Sequence, residues 1–234
     1  PVVMGSVQQA QEDEYNGLVM PESSVIKSVA VLAKSSTDMD FKYKLEASLK
    51  PIFQSSNAKT MDYIRRHPDV ELSLFLLHGV ANSIPADSAK ALYDALSPGL
   101  KGMIQSEEIE RTIALRLKTS TGKPAPIFTA TDINGKPLCL GNFKGKYVVL
   151  DFWATWCGPC RYTNKHMKQL YEKYSGHDVE FIYVADDDRD PAKWRNIVEK
   201  DGIGMFRHVL RGANTSADIN TMYAVKNIPA KFLI

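Results

Sequence analysis

The chain has 234 residues, enough for one large domain or two small ones, and its 44% hydrophobic and 24% charged content is that of a globular protein. A formal net charge of +2 gives no strongly basic surface, so nothing points to nucleic acid as a partner. Three cysteines cannot build a disulfide framework: at most one internal bridge forms, and Cys139 is left over. No apolar run reaches the roughly 18 residues that span a bilayer; the densest, Leu72 to Leu77, is far too short. The opening stretch, PVVMGSVQQAQEDEY, lacks the basic-then-apolar pattern of a secretory leader.

Residues 6 to about 118 read as helical. In 23–36, Val25, Val29, Leu32 and Ala33 fall at helical spacing, and in 40–53 so do Phe41, Leu45, Ala47 and Leu49, with Pro51 expected to bend or end that helix. A further helix covers Met61 to Arg66 and stops at His67-Pro68. The dense apolar run in 69–84 suits either a strand or a buried helix, and its neighbours favour helix. Pro85 and a capping Asp87 open the next helix, which closes at Ser97-Pro98. The helix over 106–118 carries acidic residues in its first turn and basic ones in its last, the order that suits the helix dipole.

The stretch TSTGKPAP (119–126) is a break, and the pattern changes after it. Residues 127–140 read as two short strands round Asn134-Gly135, a hairpin signal. A continuous buried strand follows over 146–154, then a helix over 158–176 and a second buried strand over 179–188. Asp190 and Pro191 open a helix over 190–202, another helix is expected over 215–225, and 230–234 reads as a strand. Strand–helix alternation implies a largely parallel sheet covered on both faces, preceded by an all-α region; the expected domains are 1–121 and 122–234.

The chemistry concentrates in DFWATWCGPC, residues 151–160. Structural zinc needs about four ligands, and Cys139 with five scattered histidines offers no second pair. A disulfide closing so small a loop removes little entropy from the unfolded chain, so it is a poor staple. Redox chemistry fits better. The pair lies where a buried strand passes into a helix, whose first amides and dipole favour an anion, and the thiolate is the nucleophile. Cys157, the first and expectedly more exposed of the pair, should attack; Cys160, a turn into the helix, should be shielded and resolve the mixed disulfide. Pro159 lacks an N–H where the helix needs none.

DFWATWCGPC resembles the active-site segment of thioredoxins almost residue for residue, and the match covers 122–234. The hairpin and the extra segment between 203 and 225, expected to be helical, resemble the extracytoplasmic TlpA/ResA-like, AhpC/TSA-related branch. GSVQQAQEDEYNGL and YIRRHPDVELSLFLL resemble the helical region ahead of that domain in Bacteroidetes-type exported oxidoreductases. The resemblance implies a thioredoxin-like fold, a central mixed sheet flanked by helices. It also implies catalytic roles for Cys157, Cys160 and Asp151, with Asp151 taking the proton of Cys160. Substrate contact falls to Trp156, Gly158, Pro159, Ile228 and Pro229, with Ile228-Pro229 as a cis-proline facing the cysteines. No cofactor beyond the redox-active Cys157–Cys160 disulfide is implied.

The implied partners are disulfide-bearing substrate proteins and a membrane or periplasmic electron donor, and cytochrome c biogenesis is an implied process. The implied compartment is the periplasm or its equivalent, and the implied role lies in cell redox homeostasis. Disulfide oxidase or isomerase chemistry, and a non-enzymatic module binding partners through its helical region, stand as alternatives. The family fold adds a strand and helix beyond the strand that ends this sequence; without them the sheet edge is either exposed or covered by another chain, and lowered stability or self-association is expected. Cys139 reads as a half-buried hairpin residue. Asp186, Asp187, Asp188 and Asp190 read as a solvated loop, and Arg161, Lys165 and Lys168 as a solvated face. His166 and His208 have no evident partner.

Overall fold

The structure, a computed structural model, describes residues 7–174, 176–212 and 218–234. The chain divides into two compact units, residues 1–117 and 118–234.

The first unit is helical. Helix α1 (Val7–Ser35) runs unbroken through Pro21, so the expected helix over 23–36 is only its second half. It lies along α3, where the Tyr15 hydroxyl meets Thr60 Oγ1 at 3.0 Å and Lys59 pairs with Glu22 at 2.6 Å. The expected helix over 40–53 is two helices. Helix α2 (Met39–Ser48) is capped by Asp38, whose carboxylate accepts from the amides of Asp40 and Phe41. Helix α3 (Lys50–Arg66) carries Pro51 in its first turn, where a missing N–H is no loss, so this proline begins a helix rather than ending one. Helix α4 (Glu71–Val80) resolves the strand-or-helix ambiguity, burying Leu74 and Leu77. Helix α5 (Ala86–Ala95) has Pro85 at its cap position and Asp87 inside its first turn, so Asp87 does not cap it. After the short α6 (Pro98–Lys101), α7 (Ile104–Lys118) starts two residues ahead of Ser106 and buries that residue. Ile64, Leu74, Leu77, Ala89, Leu92, Ile109 and Ile113 form the core of this unit.

The second unit opens with the hairpin β1 (Thr129–Thr131) and β2 (Pro137–Cys139). Asp132 Oδ1 accepts from the amides of Asn134 and Lys136, and Gly135 takes φ +80°, a conformation a side chain would disfavour. The main sheet joins β3 (Tyr147–Trp153), β4 (Val179–Ala185), β5 (Arg207–Leu210) and β6 (Ala230–Leu233) in the order β5-β4-β3-β6. β3, β4 and β5 run parallel, and β6 is antiparallel to β3. Helices α8 (Gly158–Tyr174) and α9 (Pro191–Lys200) bury Met167, Trp194 and Val198 on one face of the sheet. The hairpin and α10 (Ile219–Met222) close the other face on Leu150, Phe152, Ile182 and Val184. Two expectations are corrected here. Residues 207–210, placed in a helical segment, are a strand: they complete the parallel ladder on β4, from Ile182–Arg207 to Ala185–Leu210, and bury His208, Val209 and Leu210. The helix expected over 215–225 is one turn at Ile219–Met222, and residues 213–217 lie outside the described residues.

Candidate active site

β3 is buried from Leu150 to Trp153 and delivers the chain to a tight turn in which the Cys157 amide donates to the Ala154 carbonyl at 3.1 Å. α8 begins at the next residue. Gly158 and Pro159 occupy its first turn, where no backbone donor is needed. Cys157 and Cys160 form a disulfide, S–S 2.00 Å and Cα–Cα 5.3 Å. The Cys160 amide donates to Cys157 Sγ at 3.2 Å, which brings a helix-terminal N–H onto that sulfur. The expected contrast in exposure is small: Cys157 is 5% exposed and Cys160 2%.

Strand alternation sorts the neighbouring side chains. Leu150 and Phe152 face the hairpin, while Asp151 and Trp153 face the side that holds both cysteines. Register then lines up one row across the sheet: Lys231 on β6, Asp151 on β3, Tyr183 on β4 and His208 on β5. Asp151 is 1% exposed, and Lys231 Nζ contacts its two carboxylate oxygens at 3.0 and 2.9 Å. Burial pushes the Asp151 carboxyl above the ordinary range, and the Lys231 ammonium offsets only part of that push. The Tyr183 phenol is driven far up, first by burial and then by the charge of Asp151. His208 is fully buried, its Nε2 sits 2.9 Å from the Ile203 carbonyl, and burial lowers its pKa to about 4. Trp153 packs edge-on against Tyr183 and His208 as a core residue.

The Ile228–Pro229 peptide is cis and leads into β6. The β3–β6 ladder ends at Phe152 opposite Ala230, so Pro229 immediately precedes it. Ile228 packs against the cluster that contains Cys157 and Cys160. Trp156 is 63% exposed, and its Nε1 donates to the Asp186 carbonyl at 3.4 Å.

The acidic loop after β4 is not simply solvated. Asp187 is 7% exposed and accepts from Thr155 N at 2.9 Å and from Thr155 Oγ1 at 2.6 Å. Asp186, Asp188 and Asp218 gather round Arg211 at 3.0–3.3 Å. Nor is Arg161 a free surface charge: its guanidinium grips Asp201 through two bonds, 2.8 and 2.6 Å, and Lys168 Nζ donates to the Asp201 carbonyl at 3.0 Å. Cys139 is half-buried and its thiol is drawn below the ordinary value, first by a hydrogen bond with Thr129 and then by the Gly141 amide. Among the described residues, no group of three or more His, Cys, Asp or Glu side chains is set to hold a metal ion. The sequence reading missed Lys231, Tyr183, Thr155, Asp187 and Asp201. None left a local signal, since the strand pairing that aligns Lys231 and Tyr183 with Asp151 is set between segments distant in sequence.

The sheet order, the crossover helix carrying the cysteine pair at its start, and the final antiparallel strand define a thioredoxin-like domain preceded by an all-α region. The model of the AhpC/TSA family matches residues 121–234, just under half of the chain. The chain is similar to the thiol-disulfide oxidoreductase ResA of Bacillus thuringiensis subsp. konkukian, 38% identical over 117 residues, 50% of this chain and 65% of that protein. The ResA of Bacillus subtilis is 35% identical over 115 residues, 49% of this chain and 62% of that protein. The chain therefore spans just under two thirds of the length of these relatives. The thioredoxin domain of a thiol-disulfide oxidoreductase from Bacteroides vulgatus is 29% identical, with a TM-score of 0.45 over 49% of this chain and 81% of that one.

Proposed function

We propose that the chain is a thiol–disulfide oxidoreductase that reduces protein disulfides. The observation that carries this reading is the Cys160 amide on Cys157 Sγ, at the start of α8 and within bonding distance of the partner sulfur. In the reduced form that N–H and the helix dipole stabilise a Cys157 thiolate. The thiolate attacks one sulfur of a substrate disulfide, forms a mixed disulfide and displaces the first substrate thiolate. Cys160 then gives up its proton and attacks Cys157 Sγ, displacing the second substrate thiolate and closing the Cys157–Cys160 bond. Two electrons pass from the dithiol to the substrate, and both displaced thiolates are protonated.

Asp151 is the group we assign to the Cys160 proton. It shares the cysteine-facing side of the sheet, and burial gives its carboxylate a raised proton affinity. Trp156, Gly158, Pro159, Ile228 and Pro229 frame the surface against which the substrate would lie. No further cofactor takes part in this scheme. The substrates are disulfide-bearing proteins, a thiol donor at the membrane or in the periplasm returns the pair to dithiol, and the compartment is extracytoplasmic. The Gly-Pro spacer matches that of thioredoxin, whose potential is about −270 mV, and so supports a reductant over a strong oxidant.

Insulin reduction driven by dithiothreitol tests the reading. Cys157→Ser abolishes turnover, and Cys160→Ser accumulates a mixed disulfide with substrate. Full turnover by Cys157→Ser would falsify the assignment.

A further inference from the structure

The turn that presents Cys157 is held from outside its own segment. Thr155 is buried, and its amide and hydroxyl both donate to Asp187, 32 residues further along the chain. Two more bonds join the same pair of segments: the Asp186 amide donates to the Trp153 carbonyl at 2.9 Å, and Trp156 Nε1 donates to the Asp186 carbonyl. The loop carrying Asp187 is itself fixed. The Asp190 amide donates to the Asp187 carbonyl at 3.0 Å, and Arg211 binds Asp186 and Asp188. Within the turn, by contrast, the Cys157 amide bond to Ala154 is the single backbone closure.

Bonds to an ionised carboxylate are roughly twice as strong as neutral ones. Removing the acceptor would leave the buried Thr155 donors unmet, and a buried donor without a partner is destabilising. Thr155 lies two residues before Cys157, so the turn would find its own compromise and carry the sulfur with it. Closure of a disulfide depends steeply on where its two sulfurs sit.

We infer that Asp187 is a positioning residue for the redox pair: through Thr155 it holds the turn in the one arrangement that keeps Cys157 Sγ within bonding distance of Cys160. Asp187 contacts neither sulfur, so its part is geometric and not catalytic. This inference rests on the reading of Cys157 and Cys160 as a redox pair, and it deepens that reading. The mark of positioning is selective. A clamp that merely stabilises the fold supports the oxidised and reduced forms alike and leaves the equilibrium between them unmoved. A clamp that sets sulfur geometry supports the disulfide form more.

The test is the equilibrium constant for closing the Cys157–Cys160 disulfide, measured on the whole chain in dithiothreitol redox buffers with no substrate protein present. Asp187→Ala is expected to lower the constant about tenfold, which for a two-electron couple is about 30 mV toward a more oxidising potential. Asp187→Asn, which keeps an acceptor for the Thr155 amide, should stay within about threefold of the parent. Thr155→Val keeps the amide bond and loses the hydroxyl bond, and should lower the constant about threefold. If Asp187→Ala does not fold, Thr155→Val decides. Constants within twofold of the parent in every folded variant among Asp187→Ala and Thr155→Val overturn the inference. Should the parent fail to reduce insulin while the constant shifts as expected, the functional reading falls and the clamp stands.

Discussion

Lys231 and Asp151 meet across the β3–β6 ladder, ammonium to carboxylate at 3.0 and 2.9 Å, on the side of the sheet that holds the cysteines. The pair is unequal. Asp151 is sealed in, while the Lys231 side chain keeps part of its surface in water. Burial therefore wins, and the folded protein binds the Asp151 proton more tightly than the unfolded chain does. Stability from this group is fully present below the unfolded value of about 3.9 and is lost as pH rises through the raised folded value. Ionisation of Asp151 thus destabilises the fold relative to its protonated form. Asp151→Asn should raise Tm at pH 7 by at least about 2 °C and slow the release of substrate from the mixed disulfide. A Tm at or below the parent's, in thermal melts at pH 7, counts against this account of Asp151.

His208 lies on the same row with the opposite sign. Tyr183, Trp153, Trp194 and Phe206 surround its ring, so a protonated imidazole finds no countercharge among them. Its folded pKa is about 4 against an unfolded value near 6.5. The stability it contributes is present above about pH 6.5 and is lost as pH falls toward about 4, a loss of about 3 kcal/mol. His208→Gln should lower stability at pH 7 and flatten the fall between pH 6.5 and 4. Urea midpoints at pH 7 and 4.5 show this directly, and an equally steep fall in the variant removes His208 as the cause.

What the sequence made legible is what chain-local chemistry dictates. The apolar run of β3, the Asn134-Gly135 turn, the Asp190 cap on α9 and the cysteine pair at a strand–helix junction each depend on neighbours in sequence. What stayed hidden depends on partners far along the chain. Asp187 looked like one acid in a solvated run because Thr155, which dries it, is 32 residues away. Arg161 looked like part of a charged face because Asp201 is 40 residues away. β5 was too short to show a period, and Pro21 was absorbed by α1 without a break.

Arg161 and Asp201 form the tie between the first turns of α8 and the C-terminal end of α9. The two-pronged geometry and partial burial of both side chains put the pair above an ordinary surface bridge. A double-mutant cycle with Arg161→Ala and Asp201→Ala should give a coupling of about 1 kcal/mol in urea unfolding. A coupling under about 0.3 kcal/mol means that the tie adds nothing beyond an exposed pair.

Trp156 separates docking from geometry. Its indole stands beside a cavity of about 540 Å³ lined also by Thr155, Asp187 and Lys193, one residue ahead of Cys157. A broad aromatic face so placed is suited to an extended substrate segment approaching the sulfur, and truncating such an anchor in an interface costs at least about 1–2 kcal/mol. Trp156→Ala should therefore raise KM for insulin about tenfold while kcat falls by less than about threefold. The single bond from Nε1 to the Asp186 carbonyl is long, at 3.4 Å, so its loss should leave the disulfide equilibrium within about twofold of the parent. An unchanged KM together with a displaced equilibrium would mean that Trp156 serves the turn, alongside Thr155, and not the substrate.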